Sequence, residues 1–425
     1  MQSGVEAKRL KSIVGGSAGN LVEWYDWYAY TALSLYFAPA FFPRGDQTTE
    51  FLATALVFAV GFVMRPVGAW LMGVYGDRHG RKAGLALSVV LMAGGSLLIA
   101  LAPTYAQAGI AAPALLVVAR MLQGLSVGGE YGASATYLSE MATAKNRGFW
   151  SSFQYVTLIG GQLLSLAVVL VLQASLTEAE IAAWGWRMPF VLGSALAVVV
   201  YVLRRRLAET ESYLALPDDR PPSTIGALWR AHPREFVLVA IISAGGSTTF
   251  YAYTTYLQKY LVNTSGWTKP AATEAMTLAL VSFMLLQPLW GAISDRIGRK
   301  PLLLLFSIGC ALVTVPVFTA LANAKGFGEG LALILLPLVL LAAYTSIGAV
   351  IKAELFPAHI RTLGVALPYA IGNALFGGTA ESVALGFKAA GTEAGFYWYL
   401  TALLAVSTVA FALLPDTRRT STIGR

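Results

Sequence analysis

Short polar breaks cut this chain into apolar runs, each long enough to cross the hydrocarbon core of a bilayer, which takes about 20 helical residues. The runs cover 12–38, 51–74, 83–103, 113–141, 149–173, 186–204, 235–262, 270–293, 302–323, 330–353, 362–387 and 394–414. Lipid offers no partner to a bare N–H or C=O, so such runs must be helical. Of the 425 residues, 56% are hydrophobic and only 12% charged, about half the charged share of a soluble domain. The expected fold is an all-α membrane protein of about twelve transmembrane helices. The longest break, 205–234, holds Arg204–Arg206 at its edge and the Pro221-Pro222 turn. It divides the runs into a six-helix bundle at 1–204, a linker at 205–234 and a second six-helix bundle at 235–425.

A net charge of +8 would point to nucleic acid in a soluble chain. Here the basic residues instead report orientation, because Lys and Arg accumulate in cytoplasmic loops. With the N-terminus inside, Lys8, Arg9, Lys11, the loops after runs two, four, six and eight, the pair Lys352 and Arg361, and Arg418, Arg419 and Arg425 all fall inside. Only Arg44, Arg187, Lys259, Lys269, Lys325 and Lys388 lie at outer ends. Both termini are therefore expected in the cytoplasm, with the bilayer as a partner and no nucleic acid. The basic N-terminus runs into an apolar stretch with no small-residue cleavage site, so no removable signal peptide is expected.

The loop after the second run reads GVYGDRHGRK and that after the eighth reads GAISDRIGRK. A repeat offset by six runs is a mark of transporters built from parallel halves. Its residues Gly73, Asp77, Arg78, Gly80 and Arg81, with Asp295, Arg296 and Arg299, are expected to clamp the halves together at the cytoplasmic end, carboxylates at helix N-termini and guanidinium groups at carboxylates. Glu140 with Arg147, and Glu354 with Arg361, bracket the inner ends of runs four and ten and are expected in the same gate.

The G-x-x-x-D-R-x-G-R-K loop and its weaker second copy resemble the signature of the major facilitator superfamily. Within it, GNLVEWYDWYAY, GFVMRPVGAWLMG, ARMLQGLSVGGEYGAS and ELFPAHIRTLG resemble the bacterial metabolite:H⁺ symporters. The resemblance implies the major facilitator fold, an inner-membrane location, and proton-coupled symport of a small anionic metabolite by a unit that functions as a monomer. It further implies a dicarboxylate, α-ketoglutarate first, with citrate, shikimate, or proline and betaine as alternatives. In related proton-linked sugar carriers an Asp of the first span and an Arg of the fourth couple the proton, which the resemblance lends to Asp26 and Arg120.

Ionisable side chains at bilayer depth are functional candidates by default, because inserting each costs about 2.5–3.5 kcal/mol or more. The sequence offers Glu23, Asp26, Arg65, Arg120, Glu130 and Glu381 within runs, and Lys259 toward an outer end. Arginine pairs bidentately with carboxylates, which makes Arg65 and Arg120 the intramembrane cations for an anionic substrate. Asp26 is the first proton site, with Glu130 and Glu23 as competitors. Engagement of Arg120 by substrate would strip Asp26 of its counter-ion and load it with a proton. On a helical wheel Arg120, Gln123, Glu130, Ser134 and Tyr137 share one wide polar face, expected to line a cavity rather than meet lipid. Gly124, Gly128 and Gly132 form a small face for close helix packing. Tyr155 and Gln162, then Tyr251, Thr255 and Gln258, then Tyr369 and Asn373 add stripes to the same path; Tyr155, Gln162, Tyr251, Gln258 and Lys259 are the further expected substrate contacts.

Other chemistries fit poorly. Gly124-Leu125-Ser126-Val127-Gly128 matches a nucleophile elbow, but it sits inside a membrane run, and His79, His232 and His359 all lie outside the runs. There is no Walker A loop and no metal-ligand cluster. No metal, cofactor or enzymatic activity is expected. The remaining rival is a substrate sensor that keeps the carrier fold without flux, against which the intact gate motifs and intramembrane charges argue.

Overall fold

The computed structural model describes residues 2–42 and 47–423, so Arg44 and Arg425 lie outside the described residues, as do the side chains of Lys8, Arg9 and Lys11. The long helices are α1 (Gln2–Phe41), α2 (Gln47–His79), α3 (Arg81–Leu101), α4 (Ala111–Met141), α5 (Arg147–Ser175), α6 (Gly185–Arg205), α7 (Pro233–Asn263), α8 (Lys269–Ile297), α9 (Lys300–Asn323), α10 (Phe327–Leu355), α11 (Arg361–Gly372, continued by Asn373–Gly377 and Ala380–Ala389) and α12 (Ala394–Leu413). Among the described residues, nine are long and apolar enough to cross a membrane. The other three are α1, α2 and α11, the last because it is assembled from shorter pieces. No strand occurs among the described residues.

Helices α1–α6 pack chiefly on one another, with α2 and α3 against α4, α1 against α5 and α3 against α6. In the second half α9 packs on α12, α8 on α10, and α7 on α11 and α12. The halves meet through α2 and α4 on α11, α5 on α8, and α4 on α10. The glycine face of α4 makes the α2 contact close: a Cβ at Gly124 would lie 2.3 Å from the Gly61 carbonyl oxygen, and one at Gly128 2.1 Å from that of Arg65. Any side chain there would push α2 away.

Two helices are widened by π turns, α7 at Ala252–Tyr256 and α11 at Asn373–Gly377. Such turns recur at functional sites because they re-aim side chains within an otherwise regular helix. Both border the interface between the halves, where Tyr251 and Asn373 approach α2.

Candidate functional site

A cavity of about 300 Å³ lies between the halves, lined by Trp27, Phe62, Gln162, Tyr251, Gln258 and Lys259, among others. The mouth carries Lys259, paired with Glu381, and the cavity opens away from the loops that hold the DR-x-GRK repeats. Four expected contacts thus share one surface: Gln162, Tyr251, Gln258 and Lys259. Gln258 Nε2 donates to Thr273 Oγ1 at 3.0 Å, whereas the buried Gln162 Oε1 has no hydrogen-bond partner among the described residues.

Arg65 is not itself a lining residue; it is buried directly behind Trp27, Phe62 and Tyr251, which are. Its Nη1 donates to Tyr251 Oη (3.3 Å) and Asn373 Oδ1 (3.0 Å), which tie α2 to α7 and α11. Its Nε and Nη2 are buried without hydrogen-bond partners among the described residues. The guanidinium carbon stands 4.1 Å from the Trp27 ring centroid and 4.0 Å from that of Phe62. Arg120 stacks on Trp27 too, at 4.2 Å, and on Tyr30 at 4.1 Å. Trp27, a cavity-lining ring, therefore touches both arginines, and aromatic faces favour such cations.

Arg120 and Tyr155 are not among the residues lining that cavity. Tyr155 is buried against Phe250, ring centroids 5.8 Å apart. Arg120 donates to Gln123 Oε1 (2.7 Å), Gln123 Nε2 to Ser96 Oγ (3.0 Å), and Ser96 Oγ to Asp26 Oδ2 (2.5 Å). The Asp26–Arg120 link expected from sequence thus runs through two polar side chains. Glu130 is held by Arg204, at 2.5 Å and 3.0 Å, and by Ser88 at 2.6 Å. Glu23 is buried nearby, its carboxylate without a hydrogen-bond partner among the described residues.

The polar face of α4 departs from expectation. Arg120, Gln123, Glu130, Ser134 and Tyr137 are all buried inside the first half instead of lining the cavity. Ser134 Oγ donates to Gln154 Oε1 (2.6 Å) and Tyr137 Oη to the Ala208 carbonyl (2.9 Å). Avoiding lipid requires only that polar groups find partners, and neighbouring helices serve as well as water.

At the opposite end the two repeats build matching clusters. Asp77 accepts from the Thr362 and Leu363 amides of α11 (3.0 and 3.1 Å), and Asp295 from the Gly148 and Phe149 amides of α5 (2.8 and 2.9 Å). Each carboxylate thereby caps a helix of the other half, where amides and helix dipole favour negative charge. Arg81 pairs with Asp77 (2.9 Å) and Arg299 with Asp295 (2.8 Å). Glu140 binds Arg81 (3.3 Å) and Arg361; Glu354 binds Arg299 (3.5 Å) and Arg147 (3.6 Å). The second residue of each DR pair behaves otherwise. Arg78 and Arg296 are exposed, and what they contribute is a carbonyl: Arg78 accepts from Tyr213 Oη (2.7 Å), Arg296 from Arg418 Nη1 (2.7 Å).

Gly73 packs against Leu363, whose Cα would lie 2.8 Å from an added Cβ. Gly80 and its counterpart Gly298 adopt φ of 104° and 98°, a region open chiefly to glycine, which lets α3 and α9 start directly after the turn.

The sequence of the chain matches the model of the sugar (and other) transporter family over residues 12–223 and again over 218–423. The chain belongs to that family. It is 51% identical over 409 residues to the α-ketoglutarate permease of Escherichia coli, covering 96% of this chain and 94% of that protein. It is 34% identical over 411 residues to the citrate-proton symporter of Salmonella typhi, covering 95% and 93%. The proton:xylose symporter XylE, bound to 6-bromo-6-deoxy-D-glucose, superposes with a TM-score of 0.84 at 18% identity, covering 98% of each chain. That likeness is one of fold, the major facilitator fold.

For a member of this transporter family, several residues of the site escaped sequence reasoning. Glu209 accepts from the Arg81 and Lys82 amides (3.2 Å each), and Asp416 from the Arg299 amide (3.0 Å). Both are acids shortly after the last helix of their half, a matched placement that would have been the signal. Thr210 and Ser223 of the linker bind Glu140 and Asp77, the latter at 2.9 Å. Thr417 binds Glu354 at 2.6 Å. Lys352, counted as a loop cation by sequence, is buried within α10.

Proposed function

We propose that the chain is a proton-coupled symporter importing a dicarboxylate, α-ketoglutarate, by alternating access. The observation that carries this reading is the 51% identity with the α-ketoglutarate permease over 96% of the chain. The cavity chemistry supports it. Arg65 keeps part of its fork unused just behind the lining rings of Trp27 and Phe62, and a planar guanidinium suits a carboxylate better than any neutral donor.

Substrate enters the cavity past Lys259, reaches Arg65, and displaces its contacts with Tyr251 and Asn373. Trp27 passes the change on, since it touches Arg65 and Arg120 alike. Arg120 then shifts against Gln123, and Asp26 takes a proton through the Ser96 link. Glu130 serves structure, being held by Arg204, and Glu23 stands as the second proton site. Loading allows the Asp77 and Asp295 clusters to part and release substrate and proton on their side.

The same proposal sets residues 1–204 and 235–425 as the two moving halves, joined by 205–234. Both termini and the paired clusters face the cytoplasm of a bacterium, across its inner membrane, and a monomer suffices. The 34% identity with a citrate-proton symporter favours citrate as the second reading.

Uptake of labelled α-ketoglutarate by proteoliposomes, with and without an inward proton gradient, tests this. Gradient-driven uptake competed by α-ketoglutarate over citrate, succinate, shikimate and proline is the expected result. Accumulation of citrate alone replaces the substrate, and no flux of any of them sinks the symporter reading. Asp26→Asn is expected to abolish gradient-driven accumulation while exchange counterflow persists; a variant that still concentrates substrate moves the coupling role to Glu23.

A further inference from the structure

Every buried arginine of the two clusters is within reach of a carboxylate, yet one buried cation near them is not. Lys352 of α10 is 1% exposed. Its ammonium donates to Tyr131 Oη (2.9 Å) and to the Gly348 carbonyl (2.9 Å). The rings of Tyr131, Tyr344 and Tyr369 surround it, with centroids at 5.1, 5.7 and 4.8 Å. Among the described residues no carboxylate pairs with it, and the partners it has are neutral.

A buried ammonium without a counter-anion is costly, since ring faces and hydroxyls replace only part of its hydration. Such a group is retained where an anion comes to it. Its position fits that role. The Tyr131 and Tyr369 rings stack at 3.5 Å, one from each half. Tyr369 Oη accepts from Asn373 Nδ2 (3.0 Å), and Asn373 Oδ1 accepts from Arg65 (3.0 Å). Arg65 and Lys352 thus stand at the two ends of one chain of contacts across the interface, hydrogen bonds from Arg65 through Asn373 to Tyr369 and then the Tyr369 ring against the Lys352 ammonium.

We propose that Lys352, in its Tyr131–Tyr344–Tyr369 cage, is a second carboxylate site, which takes the distal carboxylate of an organic dianion held at the other end by Arg65 once the tyrosine stack parts. The inference rests on the anionic-substrate reading above and adds what selects charge two over charge one. A compact ammonium brings a point charge with three donors into the three-ring cage, and a guanidinium there would keep the charge but not the geometry. Contact with substrate also removes the Lys352–Tyr131 bond between the halves, so the dianion itself helps to open the stack.

The test compares wild type, Lys352→Met and Lys352→Arg in proteoliposomes and in purified form, with α-ketoglutarate as the dianion and 2-oxobutyrate as the monoanion. Lys352→Met is expected to raise the KM for α-ketoglutarate about ten- to a hundredfold, the worth of one charge-assisted hydrogen bond. Inhibition by 2-oxobutyrate should change less than about twofold, so that preference for the dianion collapses, and Lys352→Arg should keep part of that preference. Full retention of the preference in Lys352→Met overturns the inference, as does an equal loss for both ligands in a monodisperse protein. Failure of wild type to take up α-ketoglutarate removes the reading on which it rests, and that appears in the wild-type arm alone. Should Lys352→Met not fold, Tyr131→Phe carries the test. It deletes the hydroxyl that competes for the ammonium, so dianion affinity should rise about two- to threefold; an unchanged or lowered affinity overturns the proposal.

Discussion

The two clusters that close one end of the molecule use the same residue types in the same order, yet they are not equally tight. In the first, Glu140 engages Arg81, Arg361 and Thr210, and the charged side chains are fully buried. In the second, Glu354 stands 3.5 and 3.6 Å from Arg299 and Arg147, and its Oε1 makes no hydrogen bond among the described residues. Arg299 Nε and Nη2 are likewise without one, and the Arg147 side chain is 8% exposed. Asp77 adds a fourth donor, Ser223, to the two amides and one arginine that Asp295 also has. A duplicated motif therefore does not give duplicated strength. Third parties outside the motif, from the linker in one case and the C-terminal segment in the other, decide how completely each charge is satisfied. The second cluster is the less completely satisfied of the two.

Glu140→Gln and Glu354→Gln should break the comparison most visibly. The first leaves two buried arginines short of a carboxylate, which costs about 3–5 kcal/mol in a buried pair. It should cut uptake at low external substrate to below about a tenth of wild type by releasing the closed end. The second should lose about 1–2 kcal/mol, because longer contacts give less, and uptake should fall only severalfold. Equal losses, read in parallel uptake and thermal-melting assays, would mean that the two clusters are equivalent after all.

A finer contrast comes from Ser223→Ala. It reduces Asp77 to the donor set of Asp295 and should cost about 1 kcal/mol, seen as a lowered melting temperature of the purified protein. The matching change of Ser421, which touches Arg147 at 3.3 Å, should be smaller, since that bond is longer and partly exposed. The smallest effect is expected for Arg78→Ala and Arg296→Ala. Both side chains are exposed and only their carbonyls are used, so stability should stay within about 0.5 kcal/mol. Uptake reduced beyond about twofold in either would return these side chains to the clamp.

Much of this was fixed by local rules. Length and apolarity of each run decide whether it enters a bilayer, so the runs from 83–103 onward and the helices agree to within several residues at most ends. The spacing of Gly124 and Gly128 decides that α4 has a face where a neighbour can approach. The repeated loop marks Asp77, Arg81, Asp295 and Arg299 as counterparts. Charge in an apolar run singles out Arg65, Arg120, Asp26, Glu23 and Glu130 without any structure.

The tertiary structure decided which charge meets which partner. Periodicity gives the face of one helix, but the polar face of α4 turned out to be covered by α1, α3, α5 and α6, not by water. Asp26 reaches Arg120 through Ser96 and Gln123; Gln123 shows in the polar stripe of α4, but Ser96 carries no mark in the sequence pattern. Lys352 looked like a cytoplasmic anchor because it lies at the very end of an apolar run, and only the meeting of α4, α10 and α11 makes it a buried cation. Burial and pairing are properties of several helices at once, contributed by segments far apart in the chain, whereas insertion and helicity are settled within a single one.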